Sequence, residues 1–307
     1  MNRVDFGKLV ASLRKEHEDE DGAPWTQEKL AQEANLAADA LLFNEDIVSS
    51  VERGIRNLDR QTLLAFATAL QLTSNERKEF FLAASGIDTK EIARQDDHPE
   101  KIFSQFIDRV RELYAPAFLV DAYCNVLAVN YVLLELLEFP SAYGITPGIR
   151  YEQPYGYNLL RFFFSDDGSS HLQKIMGESF PDFAYHSVNI FRSFSLAYRS
   201  TKYFQGLLNE LRKYHLFRRY WSETYFREDD RQFNRLINAN INVTSQKWGP
   251  LSLFFTTRTE FTTAGDLHLG VFVPADQKTS SACEKVYQIG SPTVFNLTPW
   301  PNEDYLK

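Results

Sequence analysis

The side chains in this 307-residue chain that could do chemistry exclude more activities than they support. Ser195, His186 and Asp182 supply a nucleophile, a base and an acid in one short stretch. No Gly-x-Ser-x-Gly elbow presents the serine, so acyl processing is kept only as an alternative. The six histidines show no HxxxH or HExxH spacing, and Cys124 and Cys283 form no CxxC, so no metal centre is expected. Phosphate-cradling glycine loops are also missing from the sequence. No catalytic residue and no required cofactor is assigned, and the chain is read as a non-enzyme. Two groupings remain. Arg3, Lys29, Arg53, Arg56 and Arg60 fall at helix ends and turns, where they could gather on one face as an anion-binding patch. Further along, residues 151–233 hold 21 aromatic side chains, a supply that suits a lined apolar cavity as well as a core. Arg161, Arg192, Tyr131, His186 and Asn130 are the candidates to meet a polar head group there.

The elements that must position these groups follow from periodicity and capping. A length of 307 residues gives room for two domains; 44% hydrophobic and 24% charged content is ordinary for a folded chain. No apolar run approaches the roughly 20 residues a membrane span needs. With no leader-like start, the cysteines read as reduced thiols of a cytoplasmic protein. Phe6, Leu9, Val10 and Leu13 follow i, i+3, i+4, i+7 spacing, which predicts a helix over 6–16. Thr26 can cap a second helix over 26–34, although Lys29 stands where a capping box has its acid. Asn44 opens a third to about Arg53, which Gly54 ends. Two more are expected over about 60–70 and from Asn75 to Ala84. The acidic run Glu16–Asp21 reads as a solvated loop, and Leu41, Leu42 and Phe43 as packing residues.

Thr26-Gln27-Glu28-Lys29-Leu30-Ala31, then Ile47-Val48-Ser49-Ser50-Val51-Glu52-Arg53-Gly54, then the helix at Leu63–Leu70, resemble the helix-turn-helix of XRE-type regulators. Their pattern runs T-Q-E-x-L-A, then I-S-x-I-E-R-G. The resemblance implies a five-helix DNA-binding domain over 1–88. It also implies that Gln27 bonds a phosphate, that Asn44, Glu45, Ser49 and Ser50 face base edges, and that Arg53, Arg56 and Asn57 hold the backbone, with Lys29 nearby. Two departures are the long acidic joint Glu16–Trp25 and the extended segment before the third helix. The start of that helix, Asn44-Glu45-Asp46, is also acidic; its carboxylates can accept from cytosine N4 but repel phosphates. A bland alternative makes Arg53 a structural pair with Glu52 or another acid.

A polar linker is expected over 89–101, then an amphipathic helix carrying Ile102, Phe103, Phe106, Val110 and Leu113. Two β-rich runs flank a turn at Asp121–Asn125, a hairpin. Helical segments follow near 131–138, 158–164, 171–178, 187–212 and 216–225. Strands at Ile237–Gln246, Leu251–Phe261 and Leu267–Val273 close the pattern, which is the order of a PAS-type sheet with an enlarged helical insert. Pro116-Ala117-Phe118-Leu119-Val120-Asp121 and its continuation to Asn130 look like the opening of the ligand-binding domain of MmyB-like transcription regulators. Asn158–Asp166 is similar to that family's N-L-x-R-x-x-F-x-D segment, Phe217–Trp221 to its F-R-x-x-W, and Gly249–Leu253 to its G-x-L-x-L. Residues 276–307 have no counterpart and read as a tail.

The expectation is thus an α+β chain: an all-α five-helix helix-turn-helix domain, then a PAS-like domain over 102–275 made of an antiparallel sheet with a large helical insert. The resemblance implies a ligand-responsive regulator that binds a double-stranded DNA operator as a homodimer, with a small apolar effector such as a long-chain fatty acid. Phe118, Asn130, Tyr131, Arg161, Phe162, Phe163, His186, Arg192 and Trp221 are the ligand candidates. Phe162, Phe163 and Phe164 cannot all face one way on a helix, and Trp221 also reads as an anchor of the insert. A degenerate head working through protein contacts is the alternative that the acidic third helix keeps open.

Overall fold

The computed structural model describes residues 1–87, 98–138, 156–226, 240–290 and 292–301. Five helices come first: α1 (Arg3–Glu16), α2 (Gln27–Ala38), α3 (Glu45–Glu52), α4 (Arg60–Ala69) and α5 (Ser74–Ala84). Each begins on a side chain that accepts an otherwise orphaned backbone N–H. Asn2, Thr26, Asn44, Asp59 and Thr73 take Asp5, Lys29, Ile47, Thr62 and Glu76 respectively, each contributing about 1 kcal/mol. Their apolar faces meet in one core around Leu9, Leu13, Leu30, Val48, Phe66 and Phe80. Asp39, at φ 49°, ends α2 in the left-handed region, and Asn35 then organises the chain into α3. Its Oδ1 accepts from Leu42 and Phe43 N–H (2.7 and 2.8 Å), while its Nδ2 donates to the Phe43 carbonyl (2.8 Å). Only Phe43 of the expected packing trio is buried; Leu41 is 96% exposed and Leu42 45%. The extended segment is an outward loop held by polar contacts, which leaves two of its three apolar residues nothing to cover them.

Next comes α6 (Pro99–Glu112), with β1 (Ala117–Asp121) and β2 (Val126–Asn130) after it. The expected linker falls mostly outside the described residues. The insert contains α7 (Tyr131–Leu136), α8 (Leu159–Phe164), α9 (Asp166–Met176), α10 (Phe180–Ser195), α11 (Lys202–Leu211) and α12 (His215–Phe226). The single long helix expected over 187–212 is broken by the turn at Leu196–Tyr198. The break has a packing reason, because Leu196 is fully buried within the N-terminal core. After the insert come β3 (Ile241–Ser245), β4 (Gly249–Thr262), β5 (Gly265–Pro274), α13 (Gln277–Gly290) and β6 (Val294–Asn296). All six strands pair antiparallel in the order β3-β4-β5-β1-β2-β6.

Thus the described residues of the expected tail are folded into the domain. β6 is the sixth strand, on β2, and α13 packs Cys283 and Val286 against Val132 and Leu136 of α7. One face of the sheet is covered by α6, through Phe106 and Val110 on Leu119, Leu127 and Leu267. The other face carries Phe118, Val120, Val129 and Phe272 into the rings of the insert. Strand alternation makes this two-sided burial possible.

Candidate functional site

The hairpin turn sets the floor of the insert. Asp121 Oδ1 accepts from the Tyr123 and Asn125 N–H groups (both 2.9 Å), and Asn125 Nδ2 donates to Asp121 Oδ2 (2.9 Å). Burial pushes the Asp121 carboxyl up to about 6, against these hydrogen bonds. Asn125 Oδ1 in turn accepts from Asn158 Nδ2 (3.1 Å) and the Tyr203 hydroxyl (3.0 Å). Asn158 also caps α8, so the turn fixes where α8 begins and which way its three phenylalanines point. Phe163 and Phe164 turn inward while Phe162 is half-buried.

Between the sheet, α8 and α10 lies a cavity of about 30 Å³. A single water needs roughly 10–15 Å³ on the same measure, so the slot is narrow. Register explains one wall. Phe255, Thr257 and Thr259 of β4 stand opposite Phe272, Gly270 and His268 of β5, so all six share a sheet face. Gly270 leaves the room that the Phe118 ring occupies; a Cβ there would sit 2.4 Å from it. The other wall is α10, through Phe183, His186, Ser187, Ile190 and Phe194. These recur at i, i+3, i+4, i+7 and i+11, one helical stripe. The lining is apolar apart from a few groups, chief among them two imidazoles. Burial lowers His186 to about 4 and His268 to about 3, so both are neutral at ordinary pH.

On the opposite side of α10, Arg192 is fully buried and faces the N-terminal helices. Its Nε and Nη2 donate to Glu76 of α5 (2.9 and 3.0 Å), and its Nη1 donates to Thr224 Oγ1 (2.6 Å). Arg199, just past the turn, donates Nη1 to Glu16 Oε2 of α1 (2.8 Å), and its Nη2 meets Glu76 Oε1. Glu76 also closes a capping box with the Thr73 N–H (2.9 Å). Burial alone would raise the Glu76 carboxyl, but the two guanidinia reverse that and hold it at about 2. For Glu16 burial prevails and its carboxyl stays above the usual range, although Arg199 pulls it down. The Trp221 ring lies under both guanidinia, at 5.1 and 5.5 Å. Two charges of each sign are thus matched inside the interface, with the ring and hydrogen bonds replacing water.

Several expected residues therefore sit elsewhere than anticipated. Phe118, Phe163 and His186 line the cavity. Arg192 and Trp221 belong to the interdomain cluster instead, and Phe162 packs on Tyr157. Asn130 caps α7 and donates to the Ala115 carbonyl (2.8 Å). The Tyr131 ring lies against Gly290, and Arg161 reaches the Gly156 carbonyl at 3.5 Å. Ser195 is tied to the Phe191 carbonyl (2.6 Å) and stands half a helical turn round from His186. Asp182 is exposed, so the three are not assembled for catalysis. His268 was missed, although the alternation Asp266, His268, Gly270, Phe272 would have placed it beside Phe272. The expected solvated loop begins only at Glu18, since Glu16 and His17 are buried; burial and the nearby guanidinia keep His17 at about 4.

At the N-terminal surface, Glu52 is held by Arg14 Nε and Nη2 (2.6 and 3.0 Å) and by Gln27 Nε2 (2.6 Å). Arg53 is therefore not Glu52's partner; it is exposed and donates Nε to the Ser49 carbonyl (3.3 Å). Asn44 is spent on the α3 cap, and Lys29 pairs with Glu33 (2.7 Å). Glu45, Asp46, Arg56 and Asn57 are exposed, with Ser49 and Ser50 half-buried. Arg3 and Arg56 line one open groove of about 440 Å³.

No curated protein matches the chain. The family model of the MmyB-like transcription regulator ligand binding domain matches residues 105–285, leaving the five N-terminal helices outside it. That match spans five of the six strands (all but β6), the insert, the cavity and both interdomain arginines, and it describes a regulator's ligand-binding domain rather than an enzyme. The chain belongs to the family of MmyB-like transcription regulators.

Proposed function

We propose that this chain is an effector-responsive DNA-binding regulator whose N-terminal helices form a helix-turn-helix head and whose cavity takes a small apolar guest. The observation that carries the reading is the double role of α10. One stripe of it, Phe183 to Phe194, lines the cavity, and the opposite side sends Arg192 to Glu76 of the head. A guest that moves this helix has to disturb a buried, charge-matched contact, and such contacts are bistable rather than elastic. An effector acts only through a difference in affinity for two states; seating Arg192 on or off Glu76 supplies two.

In this reading α3 enters the major groove, with Ser49, Ser50 and Glu45 toward base edges and Arg53, Arg56 and Asn57 on phosphates. A homodimer would carry two such helices about 34 Å apart onto successive grooves. The cavity walls suit an apolar chain, and a fatty acid that keeps its carboxyl protonated or outside the walls is one guest of that kind. Its chain would need more than the present 30 Å³, so the half-buried Phe255 ring would have to swing aside.

The test is selection of genomic fragments on the purified full chain, followed by operator affinity measured before and after organic extraction of bound guest. A changed affinity that returns on re-addition supports the proposal; equal affinities would reduce the chain to an unregulated DNA binder. One observation favours a second reading. Glu45 and Asp46 are exposed at the start of α3, and Leu36 (75%) and Leu41 (96%) are exposed on the same group of helices, side chains suited to protein contact. Failure to retain any fragment at low salt would favour a head that works through protein partners.

A further inference from the structure

We propose that His268 Nε2 is the head-group contact of the cavity, so that its guest bears an uncharged hydroxyl or carbonyl on an otherwise apolar frame. This rests on reading the cavity as the guest site. His268 comes from β5, is 3% exposed and lines the cavity. Its Nδ1 is engaged by Thr259 Oγ1 at 2.9 Å, whereas its Nε2 is buried with no hydrogen-bond partner among the described residues. The Phe194 ring lies flat on the imidazole, with centroids 3.5 Å apart and planes 4° from parallel. Phe194 thus holds the ring in place and covers its face, so that only its edge is left to bond. Buried polar atoms are nearly always satisfied, and one that is not invites a partner from outside the chain.

The chemistry of that partner follows from the wall. Among the described residues no lysine or arginine lines the cavity, so a carboxylate would be buried without a counter-charge. The burial that keeps His268 neutral also prevents the imidazole from supplying one. A neutral imidazole whose Nδ1 faces a hydroxyl offers Nε2 as one donor or one acceptor, according to tautomer. A phenol or alkanol hydroxyl satisfies either form and a ketone only the one in which Nε2 carries the proton; a hydrocarbon satisfies neither.

Phenol, toluene and benzoate, titrated at pH 7.5 into the full chain after extraction, separate these cases. The readouts are calorimetry and the ¹⁵Nε2 resonance of His268. Phenol should bind and shift that resonance, toluene should bind without shifting it, and benzoate should bind at least tenfold more weakly than phenol. In His268→Phe, which retains the stacked ring, the affinity of phenol relative to toluene should fall about fivefold, the worth of one net hydrogen bond. His268→Gln, which keeps a donor and an acceptor, should recover part of that ratio. The proposal is overturned if benzoate binds as tightly as phenol, or if phenol leaves the resonance unmoved. Should toluene alone bind, the cavity remains a guest site but His268 is not its anchor. Binding by none of the three would remove the guest site itself.

Discussion

Replacing Arg192 with methionine keeps the length and apolar stem of the side chain while removing its charge. Glu76 then loses two hydrogen bonds of 2.9 and 3.0 Å, and Thr224 loses one of 2.6 Å. Removing one partner of a buried pair costs about 3–5 kcal/mol, because the other charge stays desolvated. Arg199 and the Thr73 N–H remain on Glu76, which places the expected loss at the lower end, about 3 kcal/mol. For a chain of this size that is a fall in Tm of about 6 °C, at about 2 °C per kcal/mol. Calorimetry of Arg192→Met, of Glu76→Met and of the double variant closes a cycle. The double variant should be at least about 1 kcal/mol more stable than additivity requires, since neither charge is then stranded. In the same variants the effect of guest on operator affinity should vanish. A Tm drop under 2 °C, or strictly additive losses, would refute the claim that this contact fastens the head to the insert.

Three further outcomes are expected. Acid should destabilise the fold from about pH 6.5 downward: burial holds folded His17 and His186 near 4 and His268 near 3, so their unfolded counterparts take up protons first. Asp121, raised by burial to about 6, works the other way, because folding protonates it where the unfolded carboxyl is ionised. The balance near pH 5.5 is at most about two protons, or about 2.7 kcal/mol per pH unit; urea midpoints that stay flat between pH 7 and 5 would contradict it. Gly7→Ala would place a Cβ 2.4 Å from the Glu52 carbonyl oxygen, forcing α1 off α3 at a cost of about 1–3 kcal/mol, measurable as a lower Tm. Arg56→Ala should lower the slope of log affinity against log salt for DNA by about 0.9, one phosphate contact; an unchanged slope would take Arg56 off the backbone.

Much of the fold was legible because its signals are local. The caps Thr26 and Asn44, the i, i+3, i+4 spacing from Phe6 to Leu13, and the two β-rich runs around Asp121–Asn125 each act within a few residues. The placement of Phe118, Phe163 and His186 on one cavity was also within reach of pattern and resemblance. The joint between head and insert was not. Glu76 and Arg192 are 116 residues apart, and nothing in the local pattern of either tells which charge will be buried with which. Arg192 therefore read as a guest contact. The break at Leu196 was hidden for the same reason, since the helical pattern continues across it and only docking into the N-terminal core interrupts it. The C-terminal helix carried a usable signal in the spacing of Thr279, Ala282, Cys283 and Val286, but small residues made that stripe faint.

The last strand has a practical bearing on how this molecule can be divided. β6 covers the outer edge of β2, whose five residues are all buried, and Trp300 just beyond it stacks on Phe103 of α6 at 5.6 Å. A fragment ending where the family match ends, at residue 285, would strip that cover and leave a row of unpaired amides on an oily ribbon. Such ribbons join edge to edge with their own copies. Clumping of a shortened sensor would then report a missing hem rather than any habit of the native protein.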